Sequence, residues 1–189
     1  MTERRPPTAV SPARRRILLG AGALASAGLA GCLGSGVTAE PADPIALTDG
    51  QTCDACGMTI ADHFGPAGQI FYADGNPDAR DGPARFDSIA ELVSYAVRRD
   101  ARGWTRRATF VTDYSSVDYD LIDRSGTTYI STHAAAAAFA DATECFYVVD
   151  SDVRGAMGDD YFPFSEYEEA TAFADDHDGD VRQWEHLVD

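Results

Sequence analysis

The sequence predicts an α+β fold: two similar small β-α-β-type halves packed together behind an N-terminal signal and a flexible tether. Three observations support this. Short β-prone runs and segments of helical spacing alternate along the chain. A faint repeat pairs Gly57-Met58, a strand and a helix opening at Phe86-Asp87-Ser88 with Met157-Gly158, a strand and a helix opening at Phe164-Ser165. With 189 residues, 44% of them hydrophobic, the chain can bury one compact core or two small ones.

Residues 1–31 read as an export signal. Arg14-Arg15-Arg16 precede the uncharged run from Ile17 to Ala30, which is too short to span a bilayer. Ser11 to Leu18 resembles a twin-arginine signal, and Leu29-Ala30-Gly31-Cys32 resembles a lipobox. Cys32 is then the lipidated first residue of the mature chain, anchored to the outer face of the cell membrane. Residues 32–47 are Gly, Ser, Pro, Ala and acid with few bulky side chains, the composition of a flexible tether.

The first half spans 48–115. Gln69–Ala73 follows Gly65-Pro66 and stops at Asp74-Gly75-Asn76-Pro77, as a strand between turns does. Ser88 is a natural N-cap with Glu91 three residues on, a capping box, and Ile89, Leu92, Val93 and Ala96 recur at helical spacing up to Arg99–Gly103. Ala108–Thr112 is a strand. The second half spans 116–189. Thr127–Ile130 reads as a strand after a turn at Asp123–Gly126, His133–Ala140 as a short Ala-rich helix, and Cys145–Val149 as a buried strand. Ser165 opens another helix that stops before Asp178-Gly179, and Val181–Val188 closes the fold as a strand.

Charge narrows the function. All 15 basic residues are arginine, and 31 acids bring the net charge to -16. Removing residues 1–31 leaves 30 acids against 10 bases, a net of -20, so nucleic acid is not an expected partner. The acids are scattered, as on a solvated surface, and the lysine-free acidic composition resembles the haloarchaeal type. No nucleophile elbow, His-Glu-x-x-His or glycine-rich phosphate loop is present, so the chain is not expected to be an enzyme.

The chemistry lies in Cys53-Asp54-Ala55-Cys56-Gly57-Met58. Thiolate and thioether select Cu(I), whereas zinc seldom takes methionine and lacks a second close pair of donors here. Only Met58 and Met157 remain after signal removal, each beside a glycine that allows presentation on a loop. His63, five residues beyond Met58, is a possible additional ligand, and His133 reads as a helix-start residue. Cys145 reads as a buried inert thiol. The Cys53/Cys56 pair also admits a structural disulfide or a membrane-tethered thiol-disulfide oxidoreductase.

Cys53-x-x-Cys56-Gly57-Met58-x-Ile60, Gln69-Ile70, Phe86-Asp87-Ser88, Val111-Thr112-Asp113-Tyr114, Tyr147-Val148-Val149 and Met157-Gly158, in that order behind a lipobox, resemble the NosL family of copper-binding lipoproteins associated with nitrous oxide reductase maturation. The resemblance covers roughly residues 53 to 187. It implies two related α+β halves, one Cu(I) per chain, Cys53, Cys56, Met58 and Met157 as ligands, and delivery to nitrous oxide reductase or its membrane assembly complex. One departure stands beside the second motif: Ala156 precedes Met157 where the family often has proline.

Overall fold

A computed structural model describes residues 42–189. The signal, the lipobox with Cys32 and the start of the tether lie outside the described residues. Among those described, no helix is long and apolar enough to cross a membrane.

The repeat is real in the fold, and each unit is ββαβ rather than β-α-β. In the first, β1 (Gly68–Tyr72) is the centre, β2 (Ala84–Phe86) and β3 (Arg106–Thr112) flank it antiparallel, and α1 (Ile89–Asp100) connects β2 to β3. In the second, β7 (Phe146–Val149) is the centre, flanked antiparallel by β8 (Phe162–Phe164) and β9 (Asp180–Gln183), with α2 (Tyr167–Asp176) between them. Within these two units the sequence reading lacks β2 and β8, three residues each and too short to show a period.

Phe86 and Phe164 end the equivalent short strands, and in both units the helix N-cap falls two residues later, at Ser88 and Glu166. Ser165 is therefore not the cap. Its N–H and hydroxyl donate instead to the two carboxylate oxygens of Asp113 at 2.8 and 2.9 Å, tying α2 to the end of β3. The methionine motifs are not repeat equivalents: two strands separate Met58 from α1, and only β8 separates Met157 from α2.

Between the units run β4 (Leu121–Arg124) and β5 (Thr127–Ile130), a hairpin whose two turn residues, Ser125 and Gly126, both have positive φ. The Ala-rich stretch is not a helix. It makes one 3₁₀ turn at Ala136–Ala138 and then β6 (Phe139–Asp141), which pairs with Phe110–Thr112 on the open edge of β3. Alanine's helix propensity is a weak preference, and long-range pairing overrides it. The division at 115/116 therefore does not separate the sheets, since β6 completes the first sheet in the order β2-β1-β3-β6.

The tether ends sooner than 47. Leu47 is fully buried, its N–H donates to the carbonyl of Ala134, and Ile45 exchanges two hydrogen bonds with the Gln69 side chain. The closing strand is also shorter than the expected span. After β9 the chain buries Trp184 against Tyr147 and turns into α3 (Glu185–Val188).

Two cores meet on β7. Tyr147 and Val149, with Cys145 before them, pack into the core under α1; Val148 packs with Phe162, Phe164 and Phe173 under α2. The period-2 alternation of a strand gives β7 two apolar faces. Gly68 in β1 lets α1 approach its sheet, because a Cβ there would overlap the Leu92 and Ile89 side chains. Gly68→Ala should therefore lower unfolding stability by about 1–3 kcal/mol from overpacking, measured by denaturant titration. Wild-type stability in that variant would contradict this packing.

Candidate metal centre

Residues 52–59 form a tight loop closed by an antiparallel bridge between Thr52 and Thr59. Inside it the Cys53 N–H donates to the Met58 carbonyl at 2.8 Å and the Gly57 N–H to the Cys53 carbonyl at 2.9 Å. Gly57 has φ +79°, a left-handed conformation that glycine adopts without strain. Asp54 docks the loop on β2: its N–H donates to the Arg85 carbonyl at 2.7 Å, its carboxylate accepts the Arg85 N–H at 2.9 Å, and Arg80 pairs with it.

That docking sets the thiols against the junction of β2 and α1. Cys53 Sγ donates to Glu91 Oε2 at 3.5 Å, and Cys56 Sγ to the Asp87 carboxylate at 3.4 Å. Ligand atoms of Cys53, Cys56, Asp87 and Glu91 all lie within 4.8 Å of one another, the one grouping of this kind among the described residues. Cys53 is buried and Cys56 half-buried.

Asp87 and Glu91 were not singled out as ligands from sequence. Their signal was present in Phe86-Asp87-Ser88 and in the Ser88/Glu91 capping box, which reads first as a helix start. Ser88 Oγ does accept the Glu91 N–H at 3.2 Å. The Glu91 side chain, however, faces the Cys53 thiol instead of completing the box. The two carboxylates also supply the donors whose absence argued against zinc, because two thiolates and two carboxylates make a four-coordinate set that zinc accepts.

Met157 arrives from the second unit. It lies in a turn closed by the Gly155 N–H donating to the Gly158 carbonyl at 2.8 Å, and it is 50% exposed. It lines a cleft of about 650 Å³ together with Asp54, Ala55, Ser88 and Glu91. Met58 is half-buried within the cysteine loop and is not among the residues lining that cleft. Met157 and the thiol grouping thus have Glu91 in common, which lines the cleft and faces Cys53, while neither cysteine nor Met58 lines that cleft.

The histidines and Cys145 stand apart. His63 offers its backbone carbonyl to the Thr132 hydroxyl and is outside the thiol–carboxylate grouping. The His133 ring is bonded to Ser131 Oγ at 3.0 Å and stands edge-on to Tyr114. Cys145 is buried beside Asp141, and burial pushes its thiol up to about 12, in keeping with an inert core residue.

Burial raises the pKa of Cys53 well above the ordinary thiol value, reinforced by the neighbouring Asp87 carboxylate. Burial also raises Cys56; the Met58 N–H and the Cys53 thiol oppose the rise, and the charge of Asp87 adds to it. Both thiols are therefore protonated at neutral pH without a cation, the opposite of the lowered pKa of a reactive redox cysteine. A soft cation binds by displacing the protons. Asp87→Asn should lower the Cys56 pKa by removing the adjacent charge and speed its alkylation at pH 8. A pH profile of iodoacetamide labelling checks this, and an unchanged Cys56 rate would remove Asp87 from its surroundings.

The family model described as NosL matches residues 44–189. The copper-binding lipoprotein NosL of Stutzerimonas stutzeri is 29% identical over 173 residues, covering 89% of this chain and 80% of that protein. Among solved structures, the copper chaperone NosL from Shewanella denitrificans is similar with a TM-score of 0.57 at 23% identity, covering 73% of this chain and 90% of that one. The solution structure of apo-NosL from Achromobacter cycloclastes, also 23% identical, covers 64% of this chain and 87% of that one with a TM-score of 0.39.

Proposed function

The chain belongs to the NosL family, and from that premise we propose that it is an extracytoplasmic Cu(I) carrier rather than a catalyst. It is anchored to the membrane through lipidated Cys32 and supplies copper to nitrous oxide reductase or its membrane assembly complex. The observation that carries the reading is the Cys53/Cys56 thiol pair grouped with Asp87 and Glu91, together with the exposed Met157 of the second unit lining a cleft that Glu91 also lines. Relatives named as a copper-binding lipoprotein and a copper chaperone support the metal and the anchored location.

Cys53, Cys56, Met58 and Met157 are the proposed ligands. Thiolate and thioether are soft donors that favour Cu(I) over harder ions. On loading, each thiol gives up its proton, and the hydrogen-bonded carboxylates of Asp87 and Glu91 are the first acceptors. The thioether of Met157 is neutral and does not compete with protons. Its exposure leaves the ion open to a partner's ligands, and exchange follows without hydrolytic or redox chemistry. The lipid confines the search to the membrane surface and raises the effective concentration near membrane-bound partners.

The oxidoreductase reading makes both methionines dispensable and requires an acidic attacking thiol. The raised thiol pKa values weigh against it. Anaerobic Cu(I) titration of the reduced protein in high salt, against a chromophoric chelator, separates the two. Wild-type protein should compete for copper, and a Met58→Leu, Met157→Leu double variant should lose about tenfold or more in affinity, about 1.4 kcal/mol. Equal binding by both would remove the methionines from the site, and no binding by either would overturn the carrier. The wild-type affinity should also rise with pH, because two thiol protons leave on binding. A pH-independent affinity would exclude the thiols as ligands.

A further inference from the structure

Asp160 is a buried carboxylate whose hydrogen bonds go to none of the proposed copper ligands. It stands three residues after Met157, and its Oδ1 accepts the N–H groups of Ile89 at 2.8 Å, Ala90 at 3.0 Å and Tyr161 at 2.9 Å. Ile89 and Ala90 are the first two residues of α1, while the N-cap Ser88 accepts the Glu91 N–H. The N-terminus of α1 is thus completed by a side chain from the other unit. An anion is favoured there, because the free N–H groups and the helix dipole both point at it. Burial opposes the charge and pushes the carboxyl up to about 7 against the pull of its donors.

The same side chain wedges the methionine turn. A Cβ on Gly155 would overlap the Asp160 carboxylate, and the Gly155 backbone also lies against Gly65. The turn Gly155–Gly158, which carries Met157, is thus packed against both Asp160 and Gly65 at its first residue. Asp160 Oδ2 has no hydrogen-bond partner. A capping Ser would supply an acceptor without burying a second carboxylate oxygen, so capping alone does not account for a carboxylate here.

We propose that Asp160 is a positioning residue that clamps the Met157 turn to the N-terminus of α1, setting the thioether in register with Cys53, Cys56, Asp87 and Glu91. The proposal rests on Met157 belonging to the Cu(I) site. The clamp works through two short connections: Met157 to Asp160 along the chain, and Asp160 to the helix start that carries Asp87 and Glu91 on either side of Ser88.

The test uses Asp160→Ala, which removes the accepting oxygen, and Gly155→Ala, which crowds the same contact from the turn's side, each alone and combined with Met157→Leu. Gly155→Ala keeps the proposal testable if Asp160→Ala does not fold. In the metal-free reduced protein, ¹³C-methyl methionine spectra should show the Met157 signal shifted and narrowed by either variant, with the Met58 signal unmoved. In Cu(I) competition titrations either variant should lose about tenfold in affinity, the scale of a residue that orients a ligand. In the Met157→Leu background the same substitution should change affinity by less than about twofold, because the positioned group is gone. An unmoved Met157 signal, or equal losses in both backgrounds, would overturn the clamp and leave Asp160 as a helix cap. If Met157→Leu alone binds copper as wild type does, the Met157 assignment fails and the clamp falls with it; the methyl spectra then show separately whether Asp160 still holds the turn.

Discussion

The structure depends on β7 being apolar on both faces. Tyr147 and Val149 belong to the core under α1, and Val148 to the core under α2, so one short strand serves two hydrophobic clusters. A strand with a single polar face could not do this, since it would bury unpaired polar groups in one of the cores. Trp184 reinforces the junction by packing on Tyr147 from beyond β9, and β6 adds the intervening segment to the first sheet. Because the units share a core, groups on the first can be placed against groups on the second.

The proposed metal site exploits that sharing at the start of α1. The first unit brings the thiols through a loop hydrogen-bonded to Arg85 on β2, and the next residues along the chain supply Asp87, the Ser88 cap and Glu91. The second unit brings Met157 on a turn next to Asp160. Helix N-termini leave free N–H groups, and here those groups are answered partly by Ser88 and partly by Asp160. The capping chemistry that starts the helix therefore also fixes the relative position of the two sulfur sources. Raised thiol pKa values keep the two sulfur atoms from adding negative charge beside Asp87 and Glu91, because they hold their protons until a cation replaces them.

Much of this was legible in the sequence where local signals were strong. The capping box at Ser88, the apolar run at Cys145–Val149, the strand at Gln69 and the turn before Thr127 all mark elements that the structure contains. The cysteine loop and the glycine-flanked methionines were legible because sulfur is scarce in this chain. What escaped were features decided at long range. The three-residue strands β2 and β8 exist only through pairing with longer neighbours, and the Ala-rich segment follows the open edge of β3 instead of its own helix propensity. Asp87 and Glu91 sit among 31 acids and read locally as parts of a helix start, and only the docking of the cysteine loop singles them out as possible donors. Leu47 lay inside a stretch whose average composition hid one core residue.

The central claim is that Cu(I) is held by sulfur drawn from both units. X-ray absorption at the copper edge, on the anaerobically loaded protein and on its Met157→Leu variant, addresses that claim directly. The account predicts a first shell dominated by sulfur that loses one sulfur scatterer in the variant. A shell of oxygen or nitrogen, or a sulfur shell that the variant leaves intact, would contradict it.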